Sequence, residues 1–460
     1  MKIWLFFFSV LATVALAEDI DRGRRLLQTY TWTQIGSNIV GEAAGDKSGS
    51  VSISSDGTRV AIGAYGNGVN YGKGAVGHVR VYAESGGVWT QVGEDIDGEA
   101  VGDFSGDKLS MSSDGTRVAI GAEGNDGNGK GAGHVRVYAE SGGAWTQVGE
   151  DIDGESAGDY SSRSVSMSSD GTRVAIGAVG NDGTGSNAGH VRVYAESGGT
   201  WTQVGEDIDG EAAGDMFGTS VSMSSDGARV AIGAPNNDGT GTDAGHVRVY
   251  AESDGAWTQI GEAINGEAAG DYSSRSVSMS SDGTRVAIGG LLNDGTGSNA
   301  GHARVYEESG GTWTQVGADI DGEAAGDQSG SVSMSSDGAR VAIGARRNDG
   351  TGTDAGHVRV FQFGIPCNPP AVSMHAGEVV GGLGECDGIE KIPHLSKCTI
   401  TCNTAEGYYV EGPAMCNQGT LIGGVKCLCT KGHPRPWHGT LACQKRMRGI
   451  HVPGTFHDEL

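Results

Sequence analysis

The residues best equipped for chemistry are carboxylates and histidines that recur at fixed spacing. Asp95, Asp97, Glu99 and Asp103 place four carboxylates within nine residues, around Gly98. The arrangement returns as Asp151, Asp153 and Asp159 and again as Asp207, Asp209 and Asp215. An oxygen-rich, glycine-containing loop suits a hard cation, and calcium is the cofactor it suggests, although calcium takes about six to eight oxygens and the loop lacks a third alternating ligand. An Asx-turn with solvated acids accounts for the same residues. A histidine recurs at the same period, as His78, His134, His190, His246, His302 and His357.

The elements that must position these groups follow from the repeat itself. Trp32, Trp89, Trp145, Trp201, Trp257 and Trp313 open six copies of one unit, spaced by 57 residues once and by 56 thereafter. A fixed period of this length marks a repeat architecture. Within the copy around Asp226, four segments alternate apolar and polar residues: Ser220 to Ser225, Arg229 to Ala234, His246 to Glu252, and Trp257 to Ile260. Asp226-Gly227 joins the first two, a strong hairpin signal, and Ser253-Asp254-Gly255 joins the last two. No segment carries helical spacing over ten or more residues, and 83 glycines in 460 residues suit tight turns rather than helices. The expected fold class is therefore all-β: a six-bladed β-propeller of four-stranded blades spanning residues 30–363. Tyr30 to Gly36 matches only a fourth strand and the last copy supplies only three, so the N-terminal strand is expected to close the ring.

Strand direction assigns the turns to two ends. The Ser-Ser-Asp-Gly and Glu-Ser-Gly-Gly turns lie at one, while the blade-to-blade linker and the Asn-Asp-Gly loop lie at the other, which collects the acids. The formal charge of -25 falls almost wholly on the repeats, because residues 367–460 hold eight acidic and eight basic side chains. Such acidity excludes nucleic acid and anionic membrane as partners and favours cations or basic ones. It also serves simply to keep a large repeat protein soluble.

Strands lie about 4.8 Å apart, so a third strand stands roughly 10 Å outside the innermost. The six histidines are then too far from one another to share a metal, whose ligands sit about 2 Å away. They are expected to be part of the blade consensus, His246 sharing a strand face with Arg248. The tryptophans are expected to pack between neighbouring sheets. Sites are better sought where copies disagree. After Gly-Asp in the linker stands Lys47, Phe104, Tyr160, Met216, Tyr272 or Gln328; after the second strand stands Tyr65, Glu123, Val179, Pro235, Leu291 or Arg346, with Arg347 beside the last. Aromatic, Met and Arg side chains contribute heavily at recognition surfaces, so this face is expected to hold a partner, with neutral drift of loop positions as the alternative.

Phe217-Gly218 before the inner strand, Gly233-Ala234-Pro235 after the second and the hairpin Asp226-Gly227 between them resemble the FG-GAP repeat of the integrin alpha-subunit propeller. The likeness implies a propeller that binds proteins. That family carries calcium in an Asp-rich loop between its first two strands, where this chain has only Ser224-Ser225-Asp226-Gly227. The same turn is similar to the sialidase Asp box, but its Asp and Gly are adjacent and the closing aromatic is missing. No catalytic cluster of His, Glu and Ser stands out of pattern, so the chain is expected not to be an enzyme. A glycan-processing propeller enzyme is the weakest of the alternatives.

The flanks concern location. Met1 to Ala17 reads as a secretory signal peptide ending in Ala15-Leu16-Ala17, residues 18–29 as a polar lead-in, and no second apolar run of spanning length follows, so no membrane span is expected in the mature chain. All eight cysteines follow the repeats: Cys367, Cys386, Cys398, Cys402, Cys416, Cys427, Cys429 and Cys443. In a secreted chain they read as a disulfide framework of four bridges, one of 105 connectivities, in a module spanning residues 367–443. Cys398 to Cys427 partly resembles a sushi (complement control) module, which implies protein or glycan binding. Residues 444–460 form a tail ending in His457-Asp458-Glu459-Leu460, an endoplasmic reticulum retrieval signal whose partner would be the retrieval receptor. The expected function is a binding protein of the secretory-pathway lumen that recognises proteins or glycans; the alternative is calcium-dependent buffering or adhesion.

Overall fold

The computed structural model describes residues 34–68 and 75–363, together with five short strands between Lys397 and Cys429. All elements among the described residues are strands, and the repeats build a six-bladed β-propeller. In the fourth blade the strands are Ser220–Met223, Arg229–Ala234, His246–Ser253 and Ala256–Gln259, hydrogen-bonded in that order as an antiparallel meander. The register pairs Val221 with Ile232, Ile232 with Arg248 and Glu252 with Trp257. A two-residue fifth strand, Ile264–Asn265 in the outgoing linker, pairs with His246 and Val247 at the start of the third strand. This strand carries the linker past the histidine instead of leaving it free in solvent.

Each hairpin is locked by its own side chains. Ser224 Oγ donates to Asp226 Oδ1 at 2.6 Å, and the same oxygen accepts the Ala228 amide at 2.9 Å. Gly227 follows at φ +69°, where a Cβ is disfavoured. Burial pushes the Asp226 carboxyl up, but its Ser224 and Ala228 hydrogen bonds outweigh that and hold it below the usual range. The carboxylate is thus committed to the turn.

The core lies between blades rather than within them. Ala175, Val191 and Val193 of the third blade pack against Met223, Val230, Ile232 and Tyr250 of the fourth, with Phe217 fully buried among them. Trp89, Trp145, Trp201, Trp257 and Trp313 are each half-buried at the seam and donate the indole N–H to the segment that precedes their blade, as Trp201 does to the Val148 carbonyl at 2.8 Å. The glycines of the repeat mark where backbones touch. A Cβ on Gly177 would overlap the carbonyl oxygen of Gly218 in the next blade, so neither strand could approach as it does.

Among the described residues, the two ends of the array are uncovered. The sixth sheet, Ser329–Met334, Arg340–Ala345 and His357–Gln362, has three strands. Val358 and Val360 on its outer face are 67% and 66% exposed, and Val51 and Ile53 on the first blade are 65% and 59% exposed. The expected closing strand falls at Tyr30 to Gly36, of which Tyr30 to Thr33 lie outside the described residues. Ile35 accepts the Trp89 indole N–H at 2.9 Å, so this segment meets the first blade as the end of a fourth strand meets the blade that follows it. Lys397–Cys398, Ala414–Asn417 and Thr420–Gly423 form one small antiparallel sheet, and Tyr408–Glu411 pairs with Lys426–Cys429. The expected signal peptide, cysteine bridges and retrieval motif fall outside what the structure describes.

Candidate functional site

The linker end holds two kinds of chemistry. The first is the row of positions at which the copies disagree. Lys47, Phe104, Tyr160, Met216, Tyr272 and Gln328 all adopt the left-handed conformation, with φ between 48° and 55°. A bulky side chain there is an outlier that costs on the order of 1 kcal/mol or more. Phe104 and Tyr160 are 37% and 48% exposed. The second set of variable positions meets the first: Lys47 Nζ stands 4.8 Å above the Tyr65 ring, and Arg346 Nε donates to Gln328 at 2.8 Å. Arg347 donates its amide to the Asp327 carbonyl, which anchors that stretch to the incoming linker. The Tyr272 hydroxyl donates to Asp243 at 3.2 Å, which raises its pKa, so the linker and the Asn-Asp-Gly loop share one surface.

The second kind is built around the histidines. Each of the first five is 1–2% exposed at its side chain. In the second blade, His134 Nδ1 faces Asp151 Oδ2 at 3.4 Å and Glu99 Oε2 at 3.9 Å. His190 stands in the same way to Asp207 and Glu155, at 3.4 and 3.9 Å. Among the described residues, the groups able to hold a metal are four trios: Glu42, His78 and Asp95; Glu99, His134 and Asp151; Glu155, His190 and Asp207; Glu267, His302 and Asp319. Burial, more than any charge nearby, pushes His134 and His302 below the ordinary imidazole range. The neutral ring it favours is the form that ligates a metal.

This geometry redistributes the carboxylates that the sequence groups in one loop. Asp95 turns back to His78 of its own blade, whereas Glu99 reaches forward to His134 of the next. Asp103, Asp159 and Asp215 are buried, each accepting a backbone N–H from three residues before it and an Asn side-chain N–H. Asp97, Asp153 and Asp209 mainly supply backbone carbonyls to Arg136, Arg192 and Arg248, although Asp153 Oδ1 also stands 4.0 Å from His134. The histidines do stand apart from one another, but His78, His134, His190 and His302 each acquire acids from the two linkers flanking their own blade. The signal in the sequence was the joint recurrence of Glu, His and Asp at one period.

Residues 207–250 match the FG-GAP repeat family, within the copy that holds Phe217-Gly218 and Gly233-Ala234-Pro235. No curated protein matches the chain in sequence. Among solved structures, a putative 6-phosphogluconolactonase from Bacteroides uniformis is similar at 12% identity and a TM-score of 0.47, covering 68% of this chain and 80% of its own. The periplasmic gluconolactonase of Pseudomonas aeruginosa is similar at 16% identity and a TM-score of 0.46, covering 71% and 83%. A putative 6-phosphogluconolactonase from Bacteroides fragilis follows at 14% identity and a TM-score of 0.43, covering 68% and 78%. Likeness at this level concerns the fold. It nevertheless corrects the expectation that the chain is not an enzyme: propellers named as lactonases lie among its structural neighbours, so the missing catalytic motif is no ground for setting catalysis aside. The chain carries an FG-GAP repeat within a six-bladed β-propeller.

Proposed function

We propose that this chain is an interaction protein whose linker-end propeller face holds a protein or glycan partner. The observation that carries the reading is the row of left-handed, non-glycine residues at the positions where the copies differ. Drift at a tolerant loop would be expected to admit glycine there, which carries no steric cost. Six copies instead retain Lys, Phe, Tyr, Met, Tyr and Gln. Strain retained under exposed aromatic side chains is how a recognition surface is held. The apolar Met1 to Ala17 stretch and the His457-Asp458-Glu459-Leu460 motif support a place in the endoplasmic reticulum lumen, with the retrieval receptor as a second partner.

The test replaces Phe104, Tyr160 and Tyr272 together by glycine, which removes the side chains and relieves the backbone. Glycan-array binding and cross-linking to lumenal proteins are then compared with the wild type. Loss of a wild-type ligand, with thermal stability kept or raised, is expected. An unchanged set of ligands would refute the assignment of the face. The acid-histidine trios favour a second reading, metal binding, and an imidazole in the set points away from calcium's all-oxygen shell.

A further inference from the structure

We propose that the first, second, third and fifth blades each carry a site for a divalent transition cation of zinc's class. The ligands in each would be one His Nδ1, one Asp Oδ2 and one Glu Oε2. The inference is independent of partner binding at the variable face.

Three observations converge on it. First, the distances fit. Two ligands about 2.0–2.1 Å from zinc, at a tetrahedral angle, stand about 3.3 Å apart. The His134–Asp151 and His190–Asp207 separations are both 3.4 Å, with the glutamates at 3.9 Å. In the first and fifth blades the aspartates stand at 3.6 and 3.9 Å and the glutamates at 4.0 and 3.8 Å, so there both acids need a rotamer adjustment of a few tenths of an ångström. Second, the histidines are buried and carry an unsatisfied ring nitrogen. His190 and His302 are each 1% exposed at the side chain, and in both Nδ1, the atom facing the acids, has no hydrogen-bond partner; in His78 and His134 the unpartnered atom is Nε2. An orphaned buried nitrogen is costly unless something satisfies it.

Third, the outer contacts orient both acids. Gln91, Gln147, Gln203 and Gln315 donate to the Oδ1 atoms of Asp95, Asp151, Asp207 and Asp319 at 2.6–2.7 Å, leaving Oδ2 for the histidine. Arg80, Arg136, Arg192 and Arg304 stand 3.4–3.6 Å from Oε1 of the matching glutamate, leaving Oε2. Partners of this kind, holding the far oxygen of a ligating carboxylate, are the usual support of a metal site. They also give the recurring Gln and Arg of the repeat a role beyond strand pairing.

The fourth blade is a natural control. Ala263 stands where the others have Asp, His246 keeps only Glu211 at 4.0 Å, and Gln259 turns to the Gly261 carbonyl instead. The blade folds with the same strands, so the acid is not required for folding.

The experiment is calorimetric zinc titration of the chelator-stripped, disulfide-intact chain, paired with cobalt absorption spectra. Wild type is expected to show four equivalents with the visible bands of four-coordinate cobalt. Asp151→Ala, which copies the fourth blade, should lose one equivalent while melting as wild type in chelator. Ala263→Asp should gain one. Zinc stoichiometry indifferent to both substitutions, or cobalt spectra of the hexa-aquo ion, would overturn the assignment.

Discussion

The two ends of the blades are built from the same repeat but behave differently. At the hairpin end, the second Ser of each Ser-Ser-Asp-Gly turn donates its amide to the equivalent carbonyl of the next blade. The ladder runs Ser55 to Ser113, Ser169, Ser225, Ser281 and Ser336 at 2.8–2.9 Å. Arg59, Arg117, Arg173 and Arg229 each reach a glutamate of the following blade, Glu140, Glu196, Glu252 and Glu308. The copies barely vary there. At the linker end they vary most, and there the strained residues and the histidine trios lie. At the hairpin end, identity between copies therefore marks contacts each blade must make with the next, while divergence at the linker end marks freedom to meet something else.

Three changes would break or sharpen this contrast. The largest effect is expected at the blade-to-blade approach. Gly177→Val puts a branched side chain into the Gly218 backbone, and urea denaturation should show a loss of about 3 kcal/mol. Wild-type stability in this variant would mean that the blades are not tightly coupled.

Next is the pH dependence of His246, chosen because its blade lacks the aspartate. Burial, followed by the Arg248 charge, lowers its pKa from 6.5 to about 4. The folded chain therefore binds this proton less readily than the unfolded one. The contribution is full above pH 6.5 and is lost as pH falls towards 4. The measurement is the melting temperature between those limits for wild type and His246→Gln; the variant should lose less stability on acidification. Identical slopes would place the acid sensitivity elsewhere.

The smallest effect is expected at the hairpin end. Glu252→Gln weakens the 3.3 Å pair with Arg173, and because both side chains keep some solvent exposure, the loss should be about 0.5–1 kcal/mol. A loss as large as that of Gly177→Val would show that the ion-pair ladder, rather than the glycine contact, holds neighbouring blades together.

Much of this was legible beforehand. Strands read at Arg229 to Ala234 and at the His246 start match the structure, because alternation and Asp-Gly turns are local properties. Trp145, Trp201, Trp257 and Trp313 do sit at blade seams, with an indole hydrogen bond that repetition alone could not reveal. The variable positions were legible as divergence, but their left-handed backbone was not, since nothing in Gly-Asp-Phe or Gly-Asp-Tyr demands it.

What the sequence determined by itself was the period, the strands within it, the end of the blade on which each loop falls and the FG-GAP character of the fourth copy. Those features depend on neighbours a few residues away, where steric preference and hydrogen bonding act directly. Only the tertiary structure decided which acids meet which histidine. Asp95 lies 17 residues after His78 and Glu42 lies 36 before it, and the antiparallel fold with its docked linker strand brings both to one imidazole. It alone decided, too, that Asp103 is a buried cap and Asp95 a partner of histidine, because burial and direction depend on how successive sheets stack.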